Sequence, residues 1–259
     1  MHDFRSEFIR FWSRSEVIYA ALPVLVLCII FSVINGEIML AIESGDFAGH
    51  GLDPSLASKP LSKLLTEGYL GPVYQSSVIF IPLTAAFLIQ KDYNLGEHES
   101  VLLNSKNLLS RRIGSVFAVV SWALSATLLA AIVNYVICFL QAGDKIRESL
   151  SIAEAFFVYC RVAVFAALFA VLALLITALT HKLFLSVVFF LGLLFLSLTG
   201  MLQGVPLLHN LLPLIGGKSF AFWDNGEGSI PIGQSFMLLI AWLIVVSALY
   251  LLVAVRKRR

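Results

Sequence analysis

Residues 91–112, KDYNLGEHESVLLNSKNLLSRR, decide how this chain folds. They hold seven of the chain's 34 Lys, Arg, Asp and Glu residues, together with His98. On each side lies an apolar run long enough to cross a bilayer. The stretch therefore reads as a connection at a membrane surface, and the rest of the chain is read outward from it.

Across all 259 residues the hydrophobic fraction is 59%, the charged fraction 13% and the mean hydropathy +0.91. A soluble domain of this length cannot hide that much apolar surface, so lipid is the expected solvent. A hydrocarbon core asks for about 20 apolar residues per helix. Six runs qualify: residues 17–34, 73–90, 113–141, 152–180, 183–203 and 235–255. None alternates like a strand of an outer-membrane barrel. The expected fold is an all-α membrane protein, a single transmembrane domain over 1–259 with six transmembrane helices. Acidic residues and aromatics precede the first run, which reads as a span rather than a cleaved leader.

Lys and Arg give the orientation. With both termini inside, Arg5, Arg10 and Arg14, then Lys91, Lys106, Arg111 and Arg112, then Lys182, then the RKRR of 256–259 face the cytoplasm. Those twelve outnumber the five of the outer loops, Lys59, Lys63, Lys145, Arg147 and Lys218. The bias predicts a multi-pass protein of the cytoplasmic membrane with residues 91–112 inside. The net charge of +2 reflects these anchors and does not argue for nucleic acid.

Residues 3–16 read as an amphipathic helix in the headgroup plane, with Phe4, Phe8, Phe11 and Trp12 on one side and most charges elsewhere. Residues 35–72 read as a long outer loop with a short helix at 61–67. Pro23 and Pro82 are expected to kink their spans or to cap a local break. Arg161, inside the fourth run, should snorkel outward or pair with Glu154. Residues 205–217 are too apolar for a loop and too broken by Gly and Pro for a span, which suggests a re-entrant half-helix with Trp223 at headgroup level.

Several chemistries are excluded. The GGKS of 216–219 lacks the earlier glycine of a phosphate-binding loop, Leu212 standing in its place. No HExxH pair or GxSxG elbow is present. Cys28, Cys138 and Cys160 lie in apolar runs with no metal or disulfide spacing. His50, His181 and His209 are isolated, and Glu97, His98 and Glu99 point in different directions. No cofactor, metal site or catalytic residue is expected.

Within residues 91–112, Val101, Leu102, Leu103, Leu108 and Leu109 interrupt the charges in an amphipathic pattern, and Gly96 suits a bend before a short surface helix. Here the sequence resembles the membrane subunits of type-2 ABC transporters. In that family an acidic residue ends the second span and a Gly-x-x-Glu-x-Leu-Leu-like stretch forms a coupling helix. Asp92, Gly96, Glu99, Val101, Leu102 and Arg111 follow this order, with Asp92 where Glu is usual and Glu97 where Thr is common. The resemblance extends over the whole chain through the N-terminal helix, the six spans and the broken segment before the last one.

The resemblance implies an exporter permease without its own ATPase site, ATP being bound by a cytoplasmic ATPase partner. It implies a second permease chain, identical or paralogous, and a role for Asp92, Gly96, Glu97, Glu99, Val101, Leu102 and Arg111 in coupling to the ATPase. Substrate selection would rest on the first, second and fifth spans, and an apolar cavity favours a hydrophobic or amphiphilic cargo such as a peptide, drug or lipid. The alternative is a membrane scaffold or immunity protein that binds a partner without transport.

Overall fold

The computed structural model describes residues 2–58, 61–94, 107–222 and 230–256, and regular structure there is entirely helical. In chain order the helices are α1 (His2–Trp12), α2 (Ser15–Tyr19), α3 (Leu22–Ser44), α4 (Leu61–Asn94), α5 (Leu108–Gln141), α6 (Asp144–Ser149), α7 (Ile152–Thr180), α8 (Leu183–Leu198), α9 (Pro206–Leu211), α10 (Pro213–Ala221) and α11 (Ile232–Arg256). Five stretches are long and apolar enough to cross a membrane: Ser15–Ser44, Gly68–Asn94, Leu108–Gln141, Ala155–Thr180 and Ile232–Val253. The expectation of an all-helical, multi-pass membrane protein holds.

The count of spans differs. The fifth apolar run forms α8, which has 16 residues and stops before Gln203. At about 1.5 Å per residue it extends about 24 Å, short of the hydrocarbon thickness of about 30 Å. The Thr199 hydroxyl donates to the Phe195 carbonyl at 2.8 Å, and Gly200 turns the chain with a φ of 64°. A left-handed residue of this kind ends helices because glycine takes it without a Cβ clash.

Helix α7 is the centre, packing against α4, α5, α8, α10 and α11. It is apolar on every side, which suits a helix buried on every side. Of its apolar window 83% is buried, against 17% for α11, so α7 is the core and α11 a peripheral helix. Ala166, Ala170 and Ala173, all fully buried, let neighbouring backbones approach α7 closely. By contrast, α8 turns Phe184, Val188, Phe195 and Leu198 outward.

A polar seam joins α3, α4 and α5 in the interior. The Ser32 hydroxyl donates to Asn134 Oδ1 at 2.7 Å, and Asn134 Nδ2 donates to the Tyr69 carbonyl at 2.6 Å. Cys28 Sγ lies 3.4 Å from the Ala130 carbonyl and Cys138 Sγ 3.7 Å from Asn134 Oδ1. These cysteines are buried and unbridged, as expected of small core residues. Interhelical bonds of this kind hold helices where no hydrophobic drive acts between them.

Residues 35–72 are not one loop. Helix α3 continues to Ser44 and α4 begins at Leu61, which absorbs the short helix expected at 61–67. Met39 and Ala41 are buried on α3, and Gly36 lies so close to the Gln141 side chain that a Cβ would meet its Oε1 at 2.3 Å. Packing thus carries a Gly-containing polar stretch as helix. Gly45, with a φ of 73°, ends α3. Pro23 stands in the first turn of α3, just after the break that follows α2, where its missing N–H has no intrahelical partner to lose, so of the two expectations it caps a local break. Pro72 and Pro82 do lie within α4.

Opposite ends of the bundle can now be distinguished. At the basal end meet α1, the end of α4, the start of α5 and the α7–α8 turn. Of the described residues, the distal end carries 45–58, 142–151, 199–222 and 230–231.

Candidate functional site

The residues expected to couple the chain to a partner divide into two groups. Gly96, Glu97, Glu99, Val101 and Leu102, and with them the expected surface helix, lie outside the described residues. Asp92 and Arg111 are described, one near the end of α4 and one in the first turn of α5. They belong to one ionic network, and the element between them is α1.

Helix α1 packs along α5. Phe4 meets Phe117 edge-on with ring centroids 5.6 Å apart, and Trp12 Nε1 donates to the Ser121 hydroxyl at 3.0 Å. Phe11 is buried in the main core, with Phe8 and Trp12 packed against it. The approach is close because residue 114 is Gly: a Cβ there would meet the Phe4 carbonyl oxygen at 2.9 Å. The aromatic face of α1 is therefore turned to protein, not to lipid as its periodicity alone suggests. Aromatic side chains bury more area against a cognate helix than a flat interface offers.

That packing seals in Glu7, which is only 5% exposed. Its carboxylate accepts from Arg10 Nη2 at 2.8 Å, Arg111 Nε at 2.9 Å and the Ser115 hydroxyl at 3.2 Å. Burial works to raise the Glu7 carboxyl. The Arg10 hydrogen bond and charge, the Arg111 charge and the Ser115 hydroxyl outweigh it and hold the group below the usual carboxylate range. Burial likewise opposes the Arg10 charge, and Glu7 and Asp92 overcome it, so Arg10 is held above its ordinary value.

From Arg10 the network crosses to α4. Arg10 Nη2 lies 3.1 Å from Asp92 Oδ2, and Arg14 pairs with the other oxygen of the same carboxylate. Lys91 pairs with Glu16 of α2. On the far side of α4, Gln90 Nε2 donates to the His181 carbonyl at 3.0 Å, and Tyr93 packs edge-on against the His181 ring at 4.7 Å. At the other anchor, the Asn107 N–H donates to Asp3 at 2.6 Å, and Asn107 caps α5 by accepting from the Ser110 N–H. Tyr93, Arg112 and Tyr250 complete the wall of a narrow polar pocket behind Glu7.

The arrangement is a clasp. α1 grips the last turn of α4 through Arg10 and the first turns of α5 through Asp3 and Glu7. Residues 95–106 connect those two anchors in the sequence. Of these contacts only those of Glu7 are sealed, and breaking a buried charge pair costs about 3–5 kcal/mol. Among the described residues no group of His, Cys, Asp and Glu side chains could hold a metal ion.

Sequence reasoning found Asp92 and Arg111 but missed Glu7, Arg10, Arg14 and Arg112 as partners. One signal existed. Glu7 is a carboxylate on the same helical face as Phe4, Phe8 and Phe11, and an acid among aromatics is either exposed or paired. In the sequence the arginines read only as orientation charges.

The glycines of GGKS pack helices. A Cβ at Gly216 would meet Leu238 Cδ2 at 2.8 Å and one at Gly217 would meet Phe165 Cδ2 at 2.2 Å. Arg161 Nη1 donates to the Ala221 carbonyl at 3.5 Å, which ties α7 to the end of α10. The side chain of Glu154, the other expected partner, lies outside the described residues, as does Trp223. No family model matches the chain, and no curated protein matches it.

Proposed function

We propose that the chain is the membrane-spanning permease subunit of an ATP-driven exporter of the type-2 ABC class. A separate cytoplasmic ATPase binds residues 95–106, and a second permease chain, identical or paralogous, completes the transporter. Hydrophobic or amphiphilic cargo leaves the cell as ATP binding and hydrolysis alternate the accessible side. The observation that carries this reading is the clasp: α1 is bonded to both anchors of the segment whose Gly96, Glu99, Val101 and Leu102 resemble the family motif.

Mechanically, an ATPase can bias two access states only if it contacts them differently. A push on residues 95–106 reaches Asp92 and Arg111 and, through Arg10 and Glu7, turns α1 with α4 and α5 as one unit. In this reading the basal end is cytoplasmic, both termini lie inside, and α1 rides at the membrane surface. Six crossings then require α8 to serve as the short fifth span. The α9–α10 hairpin dips back from the distal side to fill the hydrocarbon depth that α8 leaves. The Trp242 Nε1 bond to the Leu211 carbonyl, 2.9 Å, supports that depth. Trp242 lies ten residues into α11, or about 15 Å along it.

The test is purification from native membranes, identification of any ATPase that accompanies the chain, and measurement of its hydrolysis with and without the chain. The double variant Glu99→Lys with Leu102→Asp should lose both association and stimulation while inserting normally. Unchanged association and stimulation would overturn the coupling assignment. Stable association of another protein with no nucleotide dependence would favour the scaffold alternative.

A further inference from the structure

A second site lies at the distal end, away from the clasp. Helices α4, α8, α9 and α10 enclose a cavity of about 410 Å³. Its walls are apolar where α8 and α10 face each other, with Leu194, Leu214 and Ile215, and Tyr74 and Val78 of α4 close it from behind. Into the same space come five polar side chains: Ser197, Gln203, His209, Lys218 and Ser219. Together they present a cation, an imidazole, an amide and two hydroxyls, and no carboxylate lines the cavity among the described residues.

His209 is the informative member. Its Nδ1 is buried and makes no hydrogen bond among the described residues. A buried imidazole nitrogen without a partner costs about 1–3 kcal/mol, and structures keep such groups where a ligand meets them. Gly216 and Gly217 bring one face of α10 hard against α11 and α7, Trp242 holds the α9–α10 corner, and the cavity lies on the side of α10 toward α8.

We propose that this cavity binds a single-chain amphiphile with an anionic head. Apolar walls take the body of such a molecule. The positive and donor groups of Lys218, His209 and Gln203 take a carboxylate or phosphate head. Its volume lies near the low end of the range for small-molecule sites, about 300–1,000 Å³, which suits one chain rather than a two-chain phospholipid. The site lies within one chain and does not depend on an ATPase or a second permease.

The test uses the purified chain alone, without nucleotide, in phosphatidylcholine nanodiscs. Oleate carrying a diazirine in its chain is added, photolysed and located by mass spectrometry of the peptides. Saturable labelling of peptides within 194–219 is expected, displaced by unlabelled oleate at least ten-fold more effectively than by oleyl alcohol, which has no charge. His209→Ala with Lys218→Gln should lower the labelling affinity about ten-fold, a change of about 1.4 kcal/mol. Unsaturable labelling, labelling spread over α3 and α11 alike, or equal competition by the alcohol would overturn the proposal. So would displacement of the probe by a two-chain anionic phospholipid but not by oleate. The oleate-against-alcohol comparison needs only the wild-type chain, so misfolding of the variant leaves the proposal open to refutation.

Discussion

The two ends of the molecule solve the same problem with different chemistry. At the basal end a short helix, α1, is fixed to the bundle by charge: Glu7 faces Arg10 and Arg111, and Asp92 faces Arg10 and Arg14. At the distal end a short helix, α10, is fixed by close backbone approach: Gly216 and Gly217 admit Leu238 and Phe165, and the Trp242 indole secures the adjoining corner. Charge networks are affordable where water can reach their outer members. Within the hydrocarbon an exposed charge is expensive, and small residues permit contact without one. The difference separates an end held by ion pairs from one held chiefly by close packing, with single bonds from Arg161 and Trp242.

Breaking the clasp should have the largest effect. Glu7→Ala leaves Arg10 and Arg111 facing each other with their shared carboxylate gone, a loss of about 3–5 kcal/mol. Thermal unfolding in detergent should fall accordingly, and a protease site placed before α1 should become accessible. Replacing Glu7 and Arg111 together by Leu and Met should recover much of the loss. Failure of the double variant to recover would show that shape, not charge, fixes α1.

The corresponding break at the distal end is Gly217→Ala. Its Cβ would overlap the Phe165 ring, and overpacking of this kind costs about 1–3 kcal/mol. Adding Phe165→Leu should relieve it. A single variant as stable as wild type would contradict the close approach of α10 to α7. Gly114→Ala tests the same device under α1, where the Cβ would meet the Phe4 backbone, so a stability loss is expected there too.

Between the ends, Asn134→Ala removes the bonds to Ser32 and the Tyr69 carbonyl, at about 0.6–1.7 kcal/mol on the scale of interhelical bonds in membranes. Trp242→Phe removes one bond, at about 1 kcal/mol. Its effect should appear in the oleate labelling of α10 more than in overall unfolding.

Acid gives the mildest test. The Glu7 carboxyl titrates below its ordinary value when folded, so its own ion pairs contribute their full stability above about pH 4.3, the ordinary Glu value. That contribution is lost as pH falls further, through the depressed folded value. Protease accessibility of α1 should therefore rise on acidification below about pH 4, and Glu7→Gln should be less sensitive to pH in that window. Equal sensitivity would assign the acid response to another carboxylate.

Most of the fold was legible in composition and periodicity. Apolar runs of membrane length must become helices because the backbone has no other partner in lipid, and five of the six did so at full length. The sixth was misjudged in length because hydropathy does not register the φ of Gly200. The outer loop was overestimated because Gly36 and Asn35 look like turn residues until Gln141 packs over them. At the candidate site Asp92 and Arg111 were legible through the motif they flank. Their connection was not, since Asp3, Glu7 and Arg10 are about a hundred residues from Arg111 in the chain and only packing brings them together.

By itself the sequence determined the solvent and the helices, because these follow from local composition and the cost of placing charge in lipid. Only the tertiary structure decided that α1 lies on protein, that Glu7 is sealed between two arginines, and that α8 and α10 line a cavity with His209. Those outcomes depend on which distant side chains meet. A sum over neighbours in sequence cannot contain that information.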